Sequence, residues 1–152
     1  MPTPSIPGAA GALMDAPVQT DYAFSLADLQ LVALCRFGMS RPATLAAAVK
    51  LYERGLISYP RVEARLLPLN QFKEMARIVR DYRLVLGDPT VDPEWQGPVW
   101  VAEVPTEHTG ITLTPLAAAA VFGLNLSDEE SHIYGLVHER LLSLFKRPAT
   151  GA

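Results

Sequence analysis

The alternation of apolar and polar positions divides the chain into helical stretches around a long irregular segment. Structure is expected to begin at Phe24-Ser25. Ser25 suits an N-cap, and Asp28 stands in the reciprocating position of a capping box, where Glu or Gln is more usual. Leu26, Leu29, Ala33 and Phe37 then share one face at helical spacing, and Gly38 falls where a helix commonly ends. Ser40 is a second cap, with Pro42 in the tolerated first turn. Leu45, Ala48, Val49 and Tyr52 recur at intervals of three and four, so a second helix should run to about Arg54 and stop at Gly55. Two short helices joined by a tight Gly-containing turn make a helix-turn-helix type unit. The same unit is common in proteins that never touch DNA.

Leu56-Ile57-Ser58-Tyr59 leans toward β structure and is closed by Pro60, which biases Tyr59 toward an extended backbone. Tyr59 is therefore expected at the end of a short strand, where its side chain can project into a cleft. Pro68 could open a third helix whose apolar face is Phe72, Met75, Ala76, Val79 and Tyr82. From Gly87 to about Pro115, Pro and Gly punctuate the pattern, with one extended segment around Val99 to Val104. Such a loop is unusual in a compact domain unless it is functional or lies against another domain. Leu116 to Phe122 suggests a helical turn or a short helix, ended by Gly123 and Asn125. The last helix is the best signalled: Ser127 caps it, Glu130 completes the box, and Ile133, Leu136, Val137, Leu141, Leu144 and Phe145 form its buried stripe. Asp128 and Glu129 suit its positive end, and Lys146 and Arg147 its negative one.

The expected class is mainly α, with short strands and a long irregular loop. Residues 1–23, rich in Pro, Gly and Ala, read as a loose lead-in. The folded unit spans 24–147: a helical unit at 24–85, loop and short strands at 86–115, and a return helix within 116–147. Residues 148–152 form a tail. No internal repeat is visible. At 152 residues and 49% hydrophobic content, the chain can bury the core of one domain. No apolar run is long enough to span a membrane, and no secretory signal pattern opens the chain, so a cytoplasmic location is expected. Cys35 is the single cysteine, which excludes an internal disulfide or a cysteine-rich zinc cluster, and its apolar helical setting predicts a buried thiol.

A net charge of −3 argues against a nucleic-acid partner, but the charge is segregated. Arg36 to Arg83 holds ten basic and four acidic residues, a local charge of +6, whereas 84–139 holds nine acids and no Lys or Arg. A polyanion would be drawn to the first block, through Arg36, Arg41, Lys50, Arg54 and Arg65, and repelled by the second. Folding could also mix these charges.

Tyr59 and Arg61 are separated by one residue, so on an extended backbone their side chains would face one site. A phenol is a poor nucleophile near neutrality without activation or a charged neighbour. A guanidinium grips phosphate oxygens and stabilises charge developing at phosphorus. The pair suits attack on a phosphodiester, although a lone Tyr-Pro-Arg more often reflects packing.

The surrounding residues extend the pattern. Phe24-Ser25-Leu26-Ala27-Asp28-Leu29-Gln30, Arg36-Phe37-Gly38, Thr44-Leu45 and Leu51-Tyr52-Glu53-Arg54-Gly55-Leu56-Ile57-Ser58-Tyr59-Pro60-Arg61 together resemble type IA DNA topoisomerases, particularly the topoisomerase III branch. In that family the segment Leu-Tyr-Glu-x-Gly-Leu-Ile-Thr-Tyr-Pro-Arg holds the tyrosine that attacks one DNA strand and keeps a 5′-phosphotyrosine link. The resemblance implies a helix-turn-helix or winged-helix-like central domain, places Tyr59 as nucleophile, and places Arg61 at the scissile phosphate. His108-Thr109-Gly110-Ile111-Thr112-Leu113-Thr114 is similar to the family's histidine-led segment. It implies that His108 contacts that phosphate or aids proton movement. Leu126 to Glu129, Ile133-Tyr134 and Arg140 to Leu142 resemble a later family helix, which gives His132 and His138 no role.

There are departures. Val62-Glu63-Ala64 replaces the usual Thr-Asp-Ser, and Thr109 and Leu113 replace a histidine and a proline. The family's Toprim domain, whose carboxylates hold Mg²⁺, has no counterpart, and no acidic cluster here has metal-ligand spacing. The resemblance thus implies a fragment or truncated relative that cleaves and rejoins single-stranded DNA only with a Toprim-containing polypeptide. Mg²⁺ is expected only in that larger assembly. The alternative is a small DNA-binding or interaction protein without catalysis; a plain helical domain with incidental charge blocks is a third.

Overall fold

A computed structural model describes residues 21–115 and 125–147, apart from the side chains of 83–86. The lead-in up to residue 20, the expected turn at 116–122 and the tail lie outside the described residues. Among the described residues four α-helices form the frame: α1 (Leu26–Phe37), α2 (Arg41–Glu53), α3 (Phe72–Leu86) and α4 (Asp128–Ser143). α1, α2 and α4 pack on one another. α3 joins them through Tyr82, whose ring lies 4.4 Å from that of His138 on α4.

Local chemistry explains the helix ends. Ser25 and Asp28 form a complete capping box, so the shorter Asp replaces Glu without loss of either bond. Ser40 caps α2 ahead of Pro42, and Ser127 and Glu130 make the second full box. Gly38 and Gly55 adopt positive φ of 68° and 76°, a conformation that costs glycine nothing. Gly55 thereby turns the chain out of α2 and directs it toward Tyr59.

The buried faces differ in part from the sequence pattern. All six residues expected on the face of the last helix are buried: Ile133, Leu136, Val137 and Leu141 within α4, and Leu144 and Phe145 just past its end. α3 buries Met75, Ala76, Val79 and Tyr82, together with Ile78, while Phe72 is half-buried. On α1 the core positions are Leu29, Val32 and Ala33, and Phe37 is 38% exposed. On α2 the inward face is Thr44, Ala47, Ala48 and Leu51, and Tyr52 is 43% exposed. Both helices are apolar on more than one side, so periodicity does not fix which stripe faces inward. Cys35 corrects the expectation of a buried thiol: it is exposed. One equivalent of thiol should react with Ellman's reagent in the native protein as fast as in denaturant, within about tenfold; protection beyond that would contradict this placement.

Pro68 does not open α3. With Leu67 it forms β1 (Leu67–Pro68), followed by a 3₁₀ turn at Leu69–Gln71. β1 pairs in parallel with β2 (Trp100–Val101), inside the extended segment expected at Val99 to Val104. The long 87–115 segment packs on the chain's own core, burying Val91, Val99, Trp100, Ile111 and Leu113. Its first part is tied to the end of α4: the Asp92 N–H donates to the Phe145 carbonyl at 2.7 Å, and Arg147 pairs with Asp92 at 2.6 Å. Residues 22–23, assigned by sequence to the lead-in, also belong to the fold. Ala23 is buried, and Arg140 donates to the Tyr22 carbonyl at 3.1 Å.

Two groups, half-buried His138 and buried Asp28, make stability acid-sensitive. Burial pushes His138 below the ordinary imidazole value of 6.5, against a smaller opposing effect of Glu139. Burial alone would raise Asp28, but hydrogen bonds from Arg65 and Ser25 and the Arg65 charge together hold it below 3.8. Both groups bind protons more readily when unfolded. Stability should therefore fall as pH drops below about 6.5, through His138, and again below about 3.8, through Asp28. Thermal unfolding against pH should lose the first step in His138→Phe; a flat profile from pH 7 to 5 in the native chain would contradict this.

Candidate active site

Tyr59 is held between two backbone connections. The Ile57 segment bridges antiparallel to Leu113, with the Ser58 N–H donating to the Thr112 carbonyl at 2.9 Å and Thr114 to Leu56 at 3.2 Å. The Ser58 hydroxyl accepts from the Thr112 N–H at 3.0 Å and donates to the Gly110 carbonyl at 3.3 Å. The expected strand is therefore reduced to one bridge, and it binds the 110–114 segment beside Tyr59. Ile111 makes a second bridge, to Phe24.

This arrangement places His108 at Tyr59. Their ring centroids are 4.6 Å apart, and Tyr52 approaches Tyr59 edge-on at 5.4 Å. The Thr106 hydroxyl donates to the His108 carbonyl at 2.7 Å, bracing that turn. Two of the three catalytic candidates, 49 positions apart in sequence, are thus neighbours in space.

Arg61 is arranged differently from the sequence expectation. The chain bends at Pro60 and Arg61, and the Val62 N–H donates to the Pro60 carbonyl at 2.9 Å, a γ-turn contact. Tyr59 and Arg61 are thus not carried on an extended backbone. Arg61 lines an open cleft of about 540 Å³ with Ser25, Leu26, Gln30, Glu63 and Arg65. It is exposed and has no ion-pair partner among the described residues.

The other basic candidates fall into two groups. Arg41 and Lys50 are exposed and free of ion pairs among the described residues. Arg36 pairs with Glu139 at 2.6 Å, and Arg54 with Glu130 at 3.5 Å, so folding does partly mix the segregated charges. The Arg36 pair is exposed on both sides and worth at most about 1 kcal/mol, so it exchanges readily for another anion. Arg65 is committed more firmly: its Nε and Nη2 donate to the two oxygens of buried Asp28 at 2.6 and 2.7 Å. By local spacing Asp28 is legible only as a capping residue. Its partner is 37 positions away, and no local spacing signals such a pair. Tyr52 was likewise assigned to a helix face rather than to the site.

Residues 15–152 match the sequence model of a family described as DNA topoisomerase. The chain belongs to the type IA DNA topoisomerase family. It is 30% identical over 127 residues to DNA topoisomerase 3 of Salmonella typhimurium, and 33% identical over 128 residues to DNA topoisomerase 3 of Haemophilus influenzae. It is 31% identical over 139 residues to DNA topoisomerase 1 of Pyrococcus horikoshii. These alignments cover 80%, 80% and 84% of this chain but 19% of each relative. This topoisomerase-family chain thus spans about a fifth of the length of the curated relatives it matches. Among its described residues no group of three or more His, Cys, Asp or Glu side chains is placed to hold a metal ion. The described residues thus offer no cluster of ligands for the Mg²⁺ that the family resemblance implies. No helix among the described residues is long and apolar enough to cross a membrane.

Proposed function

We propose that this chain carries the DNA-cleaving tyrosine of a type IA topoisomerase reaction, with Tyr59 as nucleophile. The observation that supports this most is the Tyr59–His108 ring contact at 4.6 Å, which joins two segments that each resemble the family's catalytic motifs. In the proposed step the Tyr59 oxygen bonds to phosphorus in single-stranded DNA and the P–O3′ bond breaks. The product is a 5′-phosphotyrosine ester and a free 3′-hydroxyl. His108 takes the phenolic proton and delivers it to the departing 3′ oxygen, and the reverse sequence rejoins the strand. Arg61 stabilises charge on the phosphate, and Arg41 and Lys50, free of ion pairs among the described residues, attract the strand backbone.

The reading extends to the topoisomerase III branch, on the motifs quoted above, and to a helix-turn-helix or winged-helix-like role for α1 and α2. It assigns Mg²⁺ to a Toprim-containing polypeptide, whether a partner or the remainder of a complete enzyme, and a cytoplasmic location. A second reading, DNA binding without cleavage, draws on Val62-Glu63-Ala64, where two hydroxyls of the family pattern are absent. One experiment separates them: incubation with 5′- or 3′-labelled single-stranded DNA, with and without Mg²⁺ and a Toprim-containing polypeptide. A denaturant-resistant adduct retaining the strand 3′ of the break supports cleavage. Salt-sensitive binding without an adduct supports the second reading, and no binding at low salt would overturn both.

A further inference from the structure

The Asp28–Arg65 pair has a geometry that a strand-binding arginine does not need. Asp28 is buried, its side chain 7% exposed, and one of its oxygens also accepts the Ser25 N–H at 3.0 Å. Arg65 meets both oxygens in a two-bond fork, the strongest geometry open to a guanidinium and a carboxylate. The backbones are tied as well: the Leu26 N–H donates to the Val62 carbonyl at 2.9 Å, and the Ala23 N–H to the Arg65 carbonyl at 3.0 Å. On the other side of residue 65 lies the histidine-bearing segment. The Gly110 N–H donates to the Leu66 carbonyl at 3.0 Å, and a Cβ added to Gly110 would lie 3.1 Å from the Arg65 carbonyl carbon. The Arg140 guanidinium of α4 lies over the Phe24 ring, 4.2 Å from its centroid.

Residue 65 is therefore the point where the start of α1, the chain leaving Tyr59 and the chain leaving His108 meet. We propose that Asp28 and Arg65 are positioning residues: their fork fixes the 61–66 segment between α1 and Gly110, and so sets the approach of His108 to Tyr59. Arg65 thus acts through Tyr59 and His108, without gripping DNA itself. The catalytic part of this inference rests on the reading of Tyr59 as nucleophile; the positional part does not.

Nuclear Overhauser contacts in the full chain test it. Cross-peaks between the Tyr59 and His108 rings report the site, and those between Phe37 and His132, stacked at 4.1 Å, report the fold at a separate place. In Arg65→Ala and Asp28→Asn the first set should weaken at least fivefold while the second persists. The double variant, which leaves no buried charge unpaired, should be more stable than Arg65→Ala yet not recover the Tyr59–His108 contact. Unchanged Tyr59–His108 cross-peaks in folded single variants would overturn the proposal. If Arg65→Ala does not fold, Arg65→Lys decides by the same peaks, since an ammonium keeps the charge but cannot make the fork. In the adduct assay, Arg65→Lys should slow cleavage at least tenfold with the dissociation constant for single-stranded DNA within twofold. Weaker DNA binding at an unchanged rate would show instead that Arg65 is a DNA contact. No adduct from the native chain would remove the nucleophile reading and leave the cross-peak comparison to decide the positioning role.

Discussion

Tyr59→Phe is expected to abolish covalent capture of DNA while leaving the fold and DNA affinity intact. The variant removes the one atom that forms the bond to phosphorus, and loss of a nucleophile typically costs on the order of 10⁴-fold or more. The structural cost is small. Tyr59 is half-buried, and its contacts with Tyr52 and His108 are ring contacts that phenylalanine can keep. Stability should therefore change by no more than about 0.5 kcal/mol. Adduct yield, urea unfolding and a DNA-binding isotherm on the same preparations check the three parts. An adduct persisting in Tyr59→Phe would assign the bond to another residue.

Gly110→Ala should have the second-largest effect, on stability and chemistry together. The added methyl carbon would sit 2.7 Å from the Ala23 Cβ and 3.1 to 3.2 Å from the Arg65 backbone. None of these neighbours is a flexible side-chain end. Ala23 is buried, and Arg65 is fixed by its fork with Asp28 and its backbone bond to Ala23. Overpacking at such a place costs about 1–3 kcal/mol. The strain falls on the connection that carries His108, two residues away, so adduct formation should drop further than the lost stability explains. Urea unfolding gives the first quantity, and cleavage rate at a denaturant-free temperature well below the transition gives the second. A neutral substitution would mean that the 108–114 segment does not pass as closely as described.

The sequence made some parts of this molecule legible and left others hidden, for identifiable reasons. Helix ends were readable because caps are local: Ser25, Ser40 and Ser127 each bond within three residues. The buried stripe of α4 is legible because the positions opposite it, Asp128, Ser131, His132, Gly135 and Glu139, carry no large apolar side chain. On α1 and α2 the periodicity points one stripe out, to Phe37 and Tyr52, because both helices carry apolar residues on several sides and only packing selects among them. Cys35 was misplaced for the same reason. The Tyr59 segment was recognisable by its motif, yet its bend at Pro60 and Arg61 depends on the Val62 to Pro60 contact and on anchoring by α1. The Asp28–Arg65 fork and the close pass of Gly110 join residues tens of positions apart, and no spacing rule reaches that far.

The central claim is that the Tyr59 oxygen bonds to DNA phosphorus. The direct test is to trap the adduct on single-stranded DNA in the presence of a Toprim-containing polypeptide and Mg²⁺, digest the protein and DNA, and sequence the modified peptide by mass spectrometry. The expected result is a nucleotide 5′-phosphate on Tyr59 and on no other residue of this chain. A nucleotide on Tyr52, the exposed phenol whose ring lies 5.4 Å away, or an unmodified chain beside a cleaved strand, would contradict it.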